Sequence, residues 1–122
     1  MNVSQQFAWT PEAIRALAPA VERADNFGWI EINDWMRGHG WSLWNIGGQA
    51  WAFTLVNMDD EIEVLLAGGR GARACVKPFV EAVKNHPAHA GMTLVARGRR
   101  GWRRLLTDWT QRADGTLELR IA

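Results

Sequence analysis

The chain has 122 residues, enough for one domain with a buried core and no need of stabilising cross-links. Its hydrophobic fraction of 48% and charged fraction of 22% are typical of an ordered globular domain and exclude a disordered chain. The net charge of +1 conceals an asymmetry: three basic and nine acidic side chains in residues 1–67 give −6, whereas eleven basic and four acidic ones in residues 68–122 give +7.

The first predicted elements are a strand and two helices. Residues 3–9 are predicted as a short strand. Thr10, followed by a proline and a glutamate, is typical of a helix start, and the apolar spacing continues this helix to residues 25–28. Pro19 is expected to kink it. A second short helix is predicted over residues 30–37.

Three strands are predicted next, as a meander. Residues 41–46 and 50–56 are rich in strand-forming residues and are joined by two glycines, which favours a hairpin. Residues 61–67 form the third strand of the meander, with alternating apolar side chains predicted on one face: Ile62, Val64 and Leu66.

The basic half continues the alternation of helices and strands. Its predicted elements are a Gly-rich turn at 68–71, a helix at 72–85, a loop at 86–91 with solvated histidines His86 and His89, a strand at 92–96, a helix at 102–110 and a strand at 116–121. The order β-α-α-β-β-β-α-β-α-β predicts a single domain, residues 1–122, of the α+β class. We expect three α/β layers, with a mixed, mostly antiparallel sheet flanked by helices.

This order of elements resembles the GNAT N-acetyltransferase superfamily, as a small divergent member similar to phage-type proteins. The resemblance is carried by the topology and by the turn Gly68-Gly69-Arg70-Gly71 between the fourth strand and the third helix. In the family, that turn and the start of the next helix bind the pyrophosphate of acetyl-CoA, because free backbone amides and the helix dipole attract anions.

The resemblance implies an acyl-CoA-dependent N-acyltransferase that acts on an amine. It assigns Glu63 or Glu61 as the general base, whereas the residues alone slightly favour two solvated strand glutamates. It assigns acetyl-CoA binding to the backbone of Leu65, Leu66 and Ala67 and to the turn formed by Arg70, Gly71, Ala72, Arg73 and Ala74, with Arg99, Arg100, Arg103 or Arg104 near the 3′-phosphate. The chain has no tyrosine, so the phenol that often protonates the leaving thiolate in the family is missing. Cys75 is a possible substitute, although a small packed residue is the simpler interpretation.

Two alternatives remain open. The first is a non-catalytic GNAT-fold scaffold. The second is a phage-type protein that binds nucleic acid or a protein partner through its Arg-rich half. Five of the eight residues from 97 to 104 are arginine, which suits phosphate contacts, although such a run of charges is most often a solvated helix face. The eight tryptophans are expected to pack in the core, and an exposed remainder would favour a dimer. We expect a cytoplasmic location and no membrane partner, because no apolar run is long enough to cross a membrane.

Overall fold

A computed structural model describes residues 1–97 and 100–121, without the side chain of Arg100. The elements are β1 (Val3–Gln6), α1 (Pro11–Arg23), α2 (Trp29–Trp35), β2 (Trp41–Ile46), β3 (Ala50–Val56), β4 (Ile62–Gly69), α3 (Ala72–Asn85), β5 (Thr93–Ala96), α4 (Arg100–Leu105), β6 (Thr110–Gln111) and β7 (Leu117–Arg120). A turn of 3-10 helix, Pro87–His89, precedes β5.

The strands of the described residues form one open seven-stranded sheet in the order β1-β2-β3-β4-β5-β7-β6. Neighbouring strands are antiparallel except for β4 and β5, which are parallel. A parallel pair needs a crossover, and α3 provides it. The α+β class and the mixed, mostly antiparallel sheet are therefore confirmed.

Helices α1 and α2 cover one face of the sheet. Thr10 caps α1 by accepting a hydrogen bond from the Ala13 N–H at 3.2 Å, and the exposed Pro19 lies within the helix without ending it. Leu17 of α1 and Phe53 of β3 are fully buried in this core. The complete cluster of buried side chains is Ala13, Leu17, Ala20, Val21, Ile32, Leu43, Trp51, Phe53 and Leu66.

Helix α3 covers the opposite face and creates a second core. Phe79 and Val83 of α3 pack in the same buried cluster as Trp44 of β2 and Leu94 of β5. The indole N–H of Trp44 donates to the Thr54 hydroxyl at 3.0 Å inside this core, which satisfies both buried polar groups. Helices on both faces of the sheet make the expected three layers.

Strand β4 differs from its prediction in two ways. It continues through Gly69, so the Gly-rich turn starts two residues later than predicted. A β-bulge separates the pairs Phe53–Leu66 and Thr54–Val64, so Leu65 is an extra residue of β4 with no partner of its own in β3. Leu66 therefore packs in the α1 core whereas Val64 packs in the α3 core, and the prediction of a common face was wrong.

Some predictions for the C-terminal elements, and one for the N-terminal strand, were also wrong. Helix α4 ends at Leu105 rather than residue 110, and Thr110–Gln111 pairs with β7 as a strand that was not predicted. His89 is not a solvated loop residue, because it is only 5% exposed and its Nδ1 lies 2.8 Å from the Val83 carbonyl oxygen. At the N-terminus, β1 ends at Gln6 instead of residue 9.

Over residues 1–97 and 100–121, none of the helices combines the length and the apolar character that a membrane crossing requires.

Candidate functional site at the open edge of strand β4

Strands β4 and β5 pair over a short distance only. The parallel register joins Ile62 to Leu94 and Val64 to Ala96, and β5 ends there while β4 continues to Gly69. Among the residues described, no strand pairs with this side of β4 after Val64. Ala67 and Gly69 are consequently exposed although β4 is a central strand. Their backbone polar groups on this side are open to an extended ligand.

A cavity of about 550 Å³ lies beside this open edge, on the α3 face of the sheet. Its walls come from the sheet, from α3, from α4 with the turn that follows it, and from the end of α1. Ala52, Val64 and Ala67 of the sheet line it, together with the apolar side chains Val76, Phe79, Trp102, Leu105, Leu106 and Trp109. Gly69 and Ala72 lie at the end where α3 begins. The cavity is therefore an apolar slot that leads to a helix N-terminus.

The turn between β4 and α3 is held by Gln49. Its carbonyl oxygen accepts the Arg70 N–H at 2.9 Å, and its side-chain amide donates to the Arg70 carbonyl oxygen at 3.2 Å. Gly71 adopts φ 67° and ψ 41°, a left-handed conformation that favours glycine, and its carbonyl oxygen accepts the Cys75 N–H. The amides of the first turn of α3 have no intrahelical acceptors, so they point out of the helix end.

The predicted acetyl-CoA residues other than Arg100 divide into three groups. Ala67 and Ala72 line the cavity. Arg70, Gly71, Arg73 and Ala74 are exposed around the start of α3, outside the cavity wall. The side chains of Leu65 and Leu66 pack with the α1 core, which leaves only their backbone for a ligand. Helix α4 begins at Arg100, whose side chain lies outside the described residues.

Glu61 and Glu63 lie on the other face of the sheet from the cavity. They alternate with Ile62 and Val64, which pack in the α3 core, so their side chains point to the α1 face. Neither residue lines the cavity. A ligand in the cavity therefore reaches these carboxylates only across the open edge beyond Val64.

The two glutamates belong to a network of ion pairs. Arg97 lies 3.2 Å from Glu61 and 3.5 Å from Glu63. Arg112 donates to Glu61 and, through its Nε at 2.9 Å, to Glu118. Asn57 donates to both Glu61 and Glu63, at 3.2 and 3.3 Å. The prediction that these glutamates are simply solvated does not hold for Glu61, which is only 13% exposed.

This network changes the acid–base character of Glu61. The hydrogen bond from Arg112 lowers the pKa of the Glu61 carboxyl below its ordinary value of 4.5, and Asn57 and Arg97 act in the same direction against the effect of burial. A carboxylate held in this way is a weaker base. Glu63, 20% exposed, accepts fewer hydrogen bonds and is the better placed of the two predicted bases.

Arg23, Leu106 and Trp109 line the site although they were not predicted from the sequence as site residues. Arg23, at the end of α1, lies at the cavity wall, and Cys75 lines it with its thiol 3.7 Å from the Gln49 amide nitrogen. Cys75 is buried, as the interpretation as a small packed residue expected. The inward spacing of Leu106 and Trp109 was visible in the sequence, but nothing indicated that they close a cavity.

Arg97 also bears on the predicted nucleic-acid stripe. Its guanidinium is engaged by Glu61 and Glu63, so one of the five arginines is committed to the protein itself. Arg103 and Arg104 are exposed on α4. Over the described residues, no group of three or more His, Cys, Asp or Glu side chains is arranged to hold a metal ion. Comparison with protein-family models, curated proteins and solved structures gave no match.

Proposed function

We propose that the protein binds an acyl-CoA in the slot beside β4 and transfers its acyl group to an amine. The observation that carries the proposal is that β5 ends at Ala96 while β4 continues to Gly69, which leaves an unpaired backbone edge beside an apolar cavity. An extended arm with amide groups, such as pantetheine, needs both an edge to pair with and an apolar wall. The order of the elements and the single parallel pair support the GNAT resemblance in the same way.

The far end of the slot has the features needed for a pyrophosphate. Ala72 begins a 14-residue helix whose first amides are free, and the helix dipole adds partial positive charge there. Arg70 and Arg73 are exposed beside this helix start. The pantetheine would then run from α3 along the backbone of residues 65–67, which brings the thioester to the middle of β4.

In the proposed reaction the amine nitrogen attacks the thioester carbonyl, a C–N bond forms and the C–S bond breaks. Glu63 accepts the proton that the amine loses, directly or through a water molecule. Glu61 stays ionised and keeps Arg97 beside Glu63. The leaving thiolate takes its proton from solvent, since the chain contains no tyrosine.

Thermal unfolding with and without acetyl-CoA tests the binding step. A ligand at about one hundred times its dissociation constant adds about 2.7 kcal/mol, a shift of several degrees. The Arg70→Glu, Arg73→Glu double variant should lose the shift. Arg37→Glu with Arg120→Glu is the matched control, because it makes the same change in net charge at exposed positions away from α3.

A second variant separates the slot from the helix start. Ala67→Phe places a ring in the cavity at an exposed position, so the fold should be retained while the ligand is blocked. Calorimetric titration should then detect no binding, and Glu63→Gln should bind normally but release no thiol with an amine acceptor. Equal affinity in wild type, Ala67→Phe and the double arginine variant would refute the assigned site.

The exposed Arg103 and Arg104 support a second candidate, nucleic-acid binding. It predicts an affinity for DNA or RNA that falls steeply with salt, because each neutralised phosphate releases counterions. A protein with no shift at millimolar acetyl-CoA and a steep salt dependence would favour this candidate over the acyltransferase. The absence of both effects would leave the scaffold alternative.

A further inference from the structure

Strand β1 forms one edge of the sheet and, apart from its length of four residues, carries none of the usual protection of an edge strand. It is at the end of the strand order, and within the described chain no strand pairs with its outer side. Residues 1–9 include no charged side chain and no proline, in a chain that is 22% charged. Native edge strands normally carry such residues, or a bulge, to prevent pairing with another chain. The absence of all of them here indicates an edge that pairs.

The free backbone groups of β1 belong to alternate residues. The Gly47 N–H donates to the Asn2 carbonyl oxygen at 2.7 Å, and the register pairs Ser4 with Asn45 and Gln6 with Leu43. Residues 2, 4 and 6 therefore bond to β2, because hydrogen-bonded and non-bonded pairs alternate in an antiparallel ladder. The N–H and C=O groups of residues 3 and 5 point to the open side.

An exposed anchor and a groove lie at opposite ends of this strand. Phe7, directly after β1, is 77% exposed. At the other end, a groove of about 450 Å³ lies between β1 and α3, with Met1 and Val3 on one wall and Ala82 on the other. Trp44 and Pro78 add further apolar surface to it.

We propose that a second copy of this chain docks on β1, antiparallel and related by a two-fold axis at Gln5. In this register Gln5 pairs with Gln5 of the second copy, and Val3 pairs with Phe7 of the second copy. The outward backbone groups of Gln5 are then used in both copies, and those of Val3 face Phe7 of the second copy. Each Phe7 reaches the groove of the other copy, because Val3 lies in that groove wall. The two sheets become one continuous sheet.

The strand is suited to its own copy rather than to an unrelated peptide. A two-fold interface requires a self-complementary surface, and here the anchor and the groove that receives it lie two residues to either side of Gln5. Because β1 is uncharged, self-pairing opposes no like charges across the strands. The other edge strand, β6, has only two residues. The proposal is independent of acyl-CoA binding.

Cysteine substitution tests the axis directly. Residues in a hydrogen-bonded antiparallel pair have Cα atoms about 5.5 Å apart, which suits a disulfide. Gln5→Cys should therefore form an intermolecular disulfide under mild oxidation. Ser4→Cys is the matched control, because Ser4 lies opposite Gln6 of the second copy and should remain reduced. The native Cys75 is buried and present in both variants. Equal cross-linking of the two variants would overturn the proposed register.

Sedimentation equilibrium tests the dimer without a covalent trap. With rising concentration, the mass of the wild type should increase from 13.7 kDa toward twice that value. Gln5→Pro removes an outward N–H group but no hydrogen bond to β2. Gln5→Ala is its control, because both variants lose the side-chain hydrogen bond from Gln5 to Ser42. Gln5→Pro and Phe7→Ser should each weaken the dimer, the latter about a hundredfold or more. A monomeric wild type at several hundred micromolar, or an unchanged dimer in Gln5→Pro, would overturn the proposal.

Discussion

Replacement of Glu61 by glutamine should destabilise the fold far more than the same change at Glu63. The Glu61 carboxylate is largely buried and accepts hydrogen bonds from three side chains: Asn57, Arg97 and Arg112. Hydrogen bonds to charged groups contribute about 1.5–3 kcal/mol each when they are lost. Both arginines keep a second acidic partner, so we expect a total loss of about 2 kcal/mol. For 122 residues this corresponds to about 8 °C in the unfolding midpoint.

The pH dependence gives the same prediction a second test. The folded-state pKa of Glu61 is lowered, so its contribution is fully present above the unfolded value near 4.5 and is lost as the pH falls through the folded value. Thermal unfolding of wild type and Glu61→Gln should therefore converge at low pH. Glu63→Gln, with a single arginine contact at 3.5 Å, should cost less than about 1 kcal/mol at neutral pH. An equal loss in the two variants, or a difference that persists at pH 2, would refute this account of the network.

Three further stability predictions follow from single contacts. In a denaturant titration, Gly68→Ala should be strongly destabilising, because a Cβ there would overlap a backbone carbonyl of α1. Its control, Gly101→Ala, adds a methyl group in open space on α4 and should be neutral or slightly stabilising. Burial lowers the pKa of His89, so the free energy of unfolding should fall as the pH drops below 6.5, and His89→Leu should flatten that slope. Trp44→Phe leaves the Thr54 hydroxyl without its donor and should cost about 1–3 kcal/mol, part of which Trp44→Phe with Thr54→Val should recover; additive losses would contradict the hydrogen bond.

Local signals in the sequence predicted most of the fold. The cap at Thr10 and the apolar spacing of residues 72–85 are properties of neighbouring residues, and the structure contains both helices. The bulge in β4 depends on how Phe53 aligns with a different strand, so alternation within β4 alone suggested the wrong face for Leu66. Strand β6 has two residues and exists only through its pairing with β7, which leaves no periodicity to detect.

The candidate site was predictable only where its residues are neighbours in the sequence. The small residues and arginines at the start of α3 are contiguous in sequence and were assigned together. The cavity combines side chains from distant segments, such as Arg23, Phe79 and Trp109, and no local pattern connects them. The partners of Glu61 are 36 and 51 residues away in Arg97 and Arg112, so its environment appeared only in three dimensions.

The position of the glutamates on β4 also bears on synthesis at the ribosome. Strands β1 to β4 pair in chain order, so this half of the sheet can assemble around α1 and α2 as soon as Gly69 has emerged. The edge of β4 then stays unpaired until β5 is made, because β5 is translated more than twenty residues later. An unpaired strand edge is prone to pair with other nascent chains. Because Glu61 and Glu63 are made before their partners Arg97 and Arg112, we expect their charges to protect this edge from aggregation until the ion pairs form.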